Sequence, residues 1–457
     1  MKLWRFIKEN MLTKPGQKIC ENEATMTFEN TVIWAEMFSK NLYNIRCCAI
    51  CCSSEMATSL ALLACFAAGV TGVPLSMRYG QAHCKKILDM IHPEAVIMDV
   101  GGELVVYKIT DSQYVPPEEQ PAVIMCTSGT TGTPKGIMLS EENILSNIKD
   151  ISDYFTIGTK DSILIPRPLY HCAVLTGEFL TSLINGANIR FYSEQFNPEK
   201  MLELIQENQI TAFCGTPTLL SMMARFQRGR NIESLKHICI SGECMGHQLG
   251  TKIYEAFPFS NIYHVYGLTE AAPRVSYLPP KYFREYPDCV GIPLNSVSLK
   301  ITDKNGKVCS ENQEGILWVK GSNVMLGYYG NKEKTKQIIK DGWLCTGDVA
   351  LINDHGFLKI KGRNDDLIIK AGMNIYPAEI EAALKQNNRV KEVLVYGFTN
   401  RFGTQIGLKI AGDFSSLEDV RQVCTELLPS FQIPSIIEIV DEIPKNSSGK
   451  IIRRRSA

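Results

Sequence analysis

The chain has 457 residues, more than one hydrophobic core usually supports, so two or more domains are expected. Its 48 basic residues equal its 48 acidic ones, which removes the electrostatic reason to expect a nucleic acid or an anionic membrane as partner and points to small-molecule chemistry. Sixteen cysteines are scattered through apolar runs without a secretory signal before them, so reduced thiols in a cytoplasmic protein are expected.

Residues 1–10 are amphipathic and lack the continuous apolar segment of a signal peptide. Cys47, Cys48, Cys51 and Cys52 flank Ala49-Ile50, with no nearby histidine and without the paired spacings of a zinc fold, and read as a buried strand. Residues 56–75 run uncharged for the length of a bilayer span. Gly69, Gly72 and Pro74 break its final turns, so a buried helix leading into a core strand is expected. From about residue 45 to 300, apolar runs alternate with helix-like segments, the pattern of an α/β architecture with largely parallel sheets. Strands at 187–192 and 210–215 with a helix at 198–207 between them illustrate it. After about residue 315 the pattern changes to short strands and glycine-rich turns. Beyond Arg363, a strand at 367–370, a helix opened by Pro377, strands near 390–397 and 406–411, a helix at 417–428 and a strand at 436–440 form an α+β unit. The expected division is a large N-terminal domain of layered α/β subdomains, 1–363, and a small α+β C-terminal domain, 364–457.

The stretch MCTSGTTGTPKG, residues 125–136, follows directly on the apolar run that begins at Ala122. A strand, a loop rich in Gly, Ser and Thr, and a following helix can wrap phosphate oxygens: glycines let the backbone approach, hydroxyls donate hydrogen bonds and a lysine neutralises charge. The next helix is expected to start near Ser140, with Glu141 and Glu142 in its first turn. The loop is not a P-loop, since Pro134 stands where that motif needs its second glycine and Gly136 follows Lys135 in place of Ser or Thr.

The run Thr127-Ser128-Gly129-Thr130-Thr131-Gly132-Thr133-Pro134-Lys135-Gly136 resembles the signature loop of the AMP-forming adenylating superfamily, which contains acyl-CoA synthetases, peptide-synthetase adenylation domains and luciferases. The likeness continues in order through Pro168-Leu169-Tyr170-His171, Tyr266-Gly267-Leu268-Thr269-Glu270, Asp341-Gly342-Trp343 with Thr346-Gly347-Asp348, Gly362-Arg363-Asn364-Asp365-Asp366, and Ser448-Gly449-Lys450. It is most like an acyl- or aryl-CoA synthetase. The resemblance implies attack of a carboxylate on the α-phosphorus of ATP, giving an acyl-adenylate and pyrophosphate, followed by transfer to a thiol. Such displacement needs charge neutralised and reactants held in line.

By the same resemblance, Thr127, Ser128, Gly129, Thr130, Thr131 and Lys135 hold phosphates, Glu270 holds Mg²⁺, and Thr269 meets the α-phosphate. Tyr266 and Gly267, with Gly242, lie against adenine, while Asp348 and Arg363 reach the ribose. Lys450 is the catalytic cation, brought in by closure of a mobile C-terminal lid, and Asp365 is its hinge. Rotation about Asp365 presents Ala371 and Gly372 as the thiol channel.

His171 stands where amino-acid-activating relatives place an aspartate for the substrate ammonium, and no carboxylate follows within six residues. An unpaired buried ammonium is costly, which argues against an α-amino acid. The expected walls of the acyl pocket are Tyr170, His171, Phe213, Cys214, Gly242, Ala271 and Ala272, aromatic or small and apolar, suited to a hydrophobic aryl or fatty acid. Glu243, Glu141, Ile316 and Ala371 depart from the family pattern, the last near the thiol channel. Coenzyme A is the leading acceptor, a carrier-protein phosphopantetheine the alternative. A catalytically silent nucleotide binder is disfavoured by the joint presence of Lys450, Glu270 and Asp348. A hydrolase built on His171-Cys172 is weaker again, since adjacent residues do not make a dyad.

Overall fold

A computed structural model of the chain describes residues 2–76, 80–128, 134–227, 229–370, 373–400, 403–445 and 451, with Ser128 described by its backbone alone. The amphipathic start forms the helix Lys2–Leu12, which buries Leu3, Trp4, Ile7 and Met11. The cysteine-rich run is the strand Cys47–Cys51, buried at every position. All sixteen cysteines are free thiols. The long uncharged stretch divides into the helix Glu55–Ala68 and the strand Thr71–Pro74. Gly69 ends that helix at φ +70°, a left-handed turn that a side chain would resist. No helix among the described residues is long and apolar enough to cross a membrane.

Two large sheets carry most of the strands up to residue 328. The first has seven strands in the order Gly327–Tyr328, Pro134–Leu139, Val123–Ser128, Thr71–Pro74, Cys47–Cys51, Ala95–Val100 and Glu103–Lys108. The second has nine and runs from Ile292–Pro293 through Arg274–Leu278, Asn261–Gly267, His237–Ile240, Ala212–Gly215, Ser162–Ile165 and Asn188–Phe191 to Lys18–Glu21 and Ala24–Thr27. Their inner strands pair in parallel, as βαβ crossovers dictate. A third, antiparallel sheet of five strands includes Trp343–Ile352 and Leu358–Arg363. The expected strands at 187–192 and 210–215 are shorter, Asn188–Phe191 and Ala212–Gly215, and the helix between them is Pro198–Glu207.

The C-terminal unit has its own apolar cluster, built on Ile368, Ile375, Ile380, Val393, Leu408 and Val423. It packs the helices Pro377–Leu384 and Leu417–Leu427 with the strands Val390–Asn400, Gly403–Gly412 and Ile436–Ile439. The architecture is thus a large α/β N-terminal domain with a smaller α+β C-terminal one. The turn after Leu384 touches the larger domain by polar groups. Lys385 Nζ lies 3.9 Å from Glu243 and 3.4 Å from the Thr218 hydroxyl, Lys252 donates to the carbonyl of Gln386 at 3.0 Å, and Arg225 donates to that of Asn388 at 3.3 Å.

Buried charge positions the core helix Glu55–Ala68. Glu21, 5% exposed, accepts the Ser54 hydroxyl at 2.7 Å and the backbone N–H groups of Glu55 and Met56 at 3.2 and 2.9 Å. A carboxylate at a helix N-terminus satisfies donors that have no partner in the helix and meets the positive end of its dipole. Glu21→Ala leaves those donors buried and unpaired and is expected to cost about 2–4 kcal/mol, against under about 2 kcal/mol for Glu21→Gln. Denaturant midpoints of both variants check this; equal midpoints would remove the capping role.

Candidate active site

The strands Val123–Ser128 and Pro134–Leu139 pair antiparallel, so Thr127 lies opposite Lys135. Gly129, Thr130 and Thr131 lie outside the described residues. The Lys135 ammonium sits 5.5 Å above the ring of Tyr328, and Lys334 Nζ lies 5.8 Å from the same ring. The Tyr328 hydroxyl donates to Glu270 Oε1 at 2.9 Å. Burial, and then the neighbouring Lys334 ammonium, pull Lys135 below the usual lysine range, while Glu270 opposes that shift. Two ammonium groups and one carboxylate are therefore gathered where a phosphate chain would relieve the repulsion between the cations.

The turn that carries Glu270 is irregular backbone held by amide side chains. Thr269–Ala271 is one turn of 3-10 helix, followed by Ala272 at φ +57°. Asn323 donates to the carbonyls of Ala271 and Arg274, both at 2.9 Å; Asn147 donates to that of Arg274 at 2.8 Å; and the Met325 N–H donates to the Glu270 carbonyl at 3.0 Å. Asn143 closes a capping box with Ser140 and also donates to the Ser322 and Val324 carbonyls, each at 2.8 Å. The helix Glu141–Tyr154 and the 322–325 loop thus fix the Glu270 turn together.

A second group lies alongside. Tyr266, near the end of the strand Asn261–Gly267, donates its hydroxyl to Asp348 Oδ2. Arg363 meets Asp348 Oδ1 through Nε at 2.9 Å and donates through Nη1 to the Thr346 carbonyl at 2.8 Å. Asp348 and Arg363 are directly opposed in their antiparallel strands. Asp348 is 6% exposed, and its N–H donates to the Thr346 hydroxyl at 3.0 Å. Burial and the Asp348 carboxylate hold the Tyr266 phenol well above its ordinary range. Arg363 is within electrostatic range of both Glu270 and Lys135, so the two groups share one field.

The residues expected to meet the acid begin at the Pro168–His171 turn. Glu55 Oε2 accepts the Leu169 N–H at 2.9 Å, and the Tyr170 hydroxyl and His171 Nε2 are 2.6 Å apart. Cys172, Cys214, Ala271 and Ala272 are buried in one apolar cluster. Phe213 is not with them: alternation along the strand Ala212–Gly215 turns it to the opposite face, among Leu164, Leu220 and Ile240. It is removed from the pocket wall, because neighbouring strand residues cannot line the same side. Gly242, at φ +96°, follows the strand His237–Ile240, and a Cβ there would lie 3.6 Å from Thr216. Glu243 accepts the Thr218 hydroxyl at 2.5 Å beside Lys385, which gives this departure from the pattern a place at the contact between domains. Asp365 lies in the exposed turn Asn364–Asp366; Lys450, Ala371 and Gly372 lie outside the described residues.

Lys334, Tyr328, Glu55 and the three asparagines were not picked out in the sequence. Lys334 belongs to the charged helix Lys332–Ile338, whose composition reads as a solvated face, and no local signal marks it. Tyr328 follows Gly327 in the two-residue edge strand beside Pro134–Leu139, and its aromatic ring next to a glycine is the one hint available.

The match to known proteins follows the same geometry. Residues 34–329 match the model of the AMP-binding enzyme family and residues 379–450 that of the AMP-binding enzyme C-terminal domain; the chain belongs to this family. Among its relatives, a long-chain-fatty-acid–CoA ligase of Escherichia coli O157:H7 is 33% identical over 356 residues, 75% of this chain and 63% of that one. The chain thus spans less than two thirds of that ligase. A 2-succinylbenzoate–CoA ligase of Bacillus licheniformis is 33% identical over 347 residues, 73% of this chain and 69% of that one. The solved O-succinylbenzoate coenzyme A synthetase of Bacillus subtilis, in complex with ATP and magnesium ion, superposes with a TM-score of 0.84 at 26% identity, covering 98% of each chain.

Burial pushes the Cys172 thiol up to about 12, so at pH 8 only roughly one in ten thousand is thiolate. Iodoacetamide at pH 8 is therefore expected to leave Cys172 unmodified in the folded protein and to alkylate it after unfolding, as peptide mass spectrometry would show. Rapid native labelling would restore the thiol-hydrolase alternative.

Proposed function

We propose that the protein is an AMP-forming acid–thiol ligase. It activates a hydrophobic aryl or fatty carboxylic acid with ATP, releases pyrophosphate, and transfers the acyl group to coenzyme A. The observation that carries this reading is the convergence of Lys135, Lys334 and Glu270 with the Tyr266–Asp348–Arg363 group. An anion site next to a buried two-oxygen acceptor suits a phosphate chain joined to a ribose.

In this reading Thr127, Ser128, Gly129, Thr130, Thr131 and Lys135 cradle the β- and γ-phosphates, and Asp348 accepts hydrogen bonds from the ribose hydroxyls in place of Tyr266 or Arg363. Gly242 and Gly267 leave room for the adenine beside Tyr266. Thr269 donates to the α-phosphate. Mg²⁺ is usually bound by one or two carboxylates plus substrate phosphates. Glu270 would supply that carboxylate, and the bound ion would neutralise phosphate charge. His171 and Tyr170 flank the acid, whose carboxylate oxygen attacks the α-phosphorus while pyrophosphate leaves. Lys450 stabilises the charge that develops there. In the second half-reaction the thiol sulfur attacks the acyl carbonyl carbon and AMP departs.

The domain division is placed after Arg363, with 1–363 as the nucleotide and acyl domain and 364–457 as the lid. Asp365 is the hinge, and Ala371 and Gly372 line the thiol channel. Coenzyme A is the acceptor named for the relatives, and none of the three is named for a carrier protein. Sixteen free thiols accord with a reducing compartment such as the cytoplasm.

Pyrophosphate exchange into ATP, driven by a panel of aryl, fatty and amino acids, tests the first half-reaction. Exchange is expected with one acid class and is expected to fall about a hundredfold or more in Lys450→Ala. Silence with every acid would leave a nucleotide binder. Asp365→Pro is expected to keep exchange near the wild-type rate while slowing thioester formation at least about tenfold, because a hinge acts only in the change of orientation. Equal loss in both half-reactions would reject the hinge.

A further inference from the structure

Two cations stand side by side in the site, and the glycine-rich loop accounts for only one of them. Lys135 closes that loop, whereas Lys334 comes from the helix Lys332–Ile338, which is fastened to the site by its backbone. Its cap, Asn331, accepts the Lys334 N–H through Oδ1 at 2.9 Å. The Thr335 hydroxyl accepts the Tyr328 N–H at 2.9 Å and donates to the Asn331 carbonyl at 2.9 Å. Gly327, at φ +143°, lets the helix approach this closely, since a Cβ there would lie 2.6 Å from Thr335 Cγ2. Tyr328 in turn pairs opposite Ile137, two residues beyond Lys135 in the neighbouring strand. These ties set the two lysines beside each other.

Both ammonium groups lean on one ring, Lys135 Nζ at 5.5 Å and Lys334 Nζ at 5.8 Å from the centre of Tyr328. After burial, Lys334 is the largest cause that holds Lys135 below the usual lysine range. A lysine on a charged helix ordinarily turns to water or to a carboxylate within reach, as Lys332 does with Glu118. Among the described residues Lys334 has no carboxylate within 4 Å, and it stands instead beside a second cation. Like charges brought together at a half-buried place raise the energy of the free protein, and a polyanion between them lowers it. The order of contacts says which part of a nucleotide that is. Asp348, Tyr266 and Arg363 touch at the end that suits a ribose, Glu270 touches Tyr328, and the Tyr328 ring carries the lysines. The ammonium groups therefore lie toward the far end of the phosphate chain.

We propose that Lys334 is a nucleotide-binding residue that, with Lys135, clamps the terminal phosphates of ATP over the Tyr328 ring and makes the site favour the triphosphate. This rests on the nucleotide reading above and deepens it, because it gives the β- and γ-phosphates a second ammonium from outside the signature loop. A lysine ammonium is a compact point charge with three donors on a flexible stem, suited to following phosphate oxygens.

The test is equilibrium binding of ATP and of AMP, each with magnesium, to the full chain by titration calorimetry. Lys334→Met keeps the length of the stem and removes the charge. It is expected to raise the Kd for ATP at least about tenfold, the scale of a hydrogen bond to a charged group, while the Kd for AMP changes by under about twofold. Lys334→Arg should recover most of the ATP affinity. An unchanged ATP Kd in Lys334→Met would overturn the proposal while leaving adenylation standing. So would equal weakening of ATP and AMP, the mark of a lysine that only supports the fold. Should Lys334→Met not fold, Lys334→Gln is read by the same two constants. A wild-type chain that binds neither nucleotide would overturn the adenylating reading and this one with it. ATP binding that depends on Lys334, in a chain that exchanges pyrophosphate with no acid, would overturn the adenylating reading alone.

Discussion

Asp348 is a buried carboxylate and must find donors, and it finds them on two different sheets. Tyr266 comes from the nine-stranded sheet and Arg363 from the strand opposite Asp348 in the five-stranded one. Tyr266 meets Oδ2 and Arg363 meets Oδ1, so loss of Arg363 would take the countercharge from a buried ion, the expensive case. The contact therefore fixes how the two sheets meet. Arg363 also ends the strand Leu358–Arg363, directly before the turn Asn364–Asp366.

The same economy governs the Glu270 turn. Backbone that is neither helix nor sheet exposes carbonyls that must be satisfied when buried. Here Asn147 and Asn323 do it, reaching from a helix and from a loop far away in sequence, and both are fully buried. An amide side chain can donate to one carbonyl and accept from another N–H, as Asn147 does with Arg274 on both sides. The Glu270 carboxylate can thus be held on irregular backbone.

These cases separate what could be read from the sequence from what could not. Contiguous features were legible: the Ser140 cap with acidic residues in its first turn, Pro377 opening its helix, the all-buried cysteine strand, and motifs whose members sit side by side. Strand ends were drawn too long by one or two residues, since apolar residues continue past the last ladder bond, as at Ile210 and Tyr192. The phase of a strand was missed at Phe213, where residue type suggested a pocket wall and alternation placed it on the other face. What stayed hidden are the contacts made by one residue across a long separation. Lys334 over Tyr328 and the Arg274 guanidinium against Cys239 have no local periodicity or neighbour to mark them. Their surroundings exist only once the sheets have assembled.

The joint between the domains has a thermodynamic character of its own. Lys385, Lys252 and Arg225 bridge the domains by pairing two ammonium groups and a guanidinium with two carbonyls, a hydroxyl and a carboxylate. Water solvates such groups well, but the joint is not polar throughout: Tyr376, 2% exposed, packs its ring beside Gly362 and donates its hydroxyl to Glu314 Oε2 at 2.7 Å. Ionic strength, which screens exposed charge pairs over about 8–10 Å, is the solution variable to which the charged contacts of the joint respond.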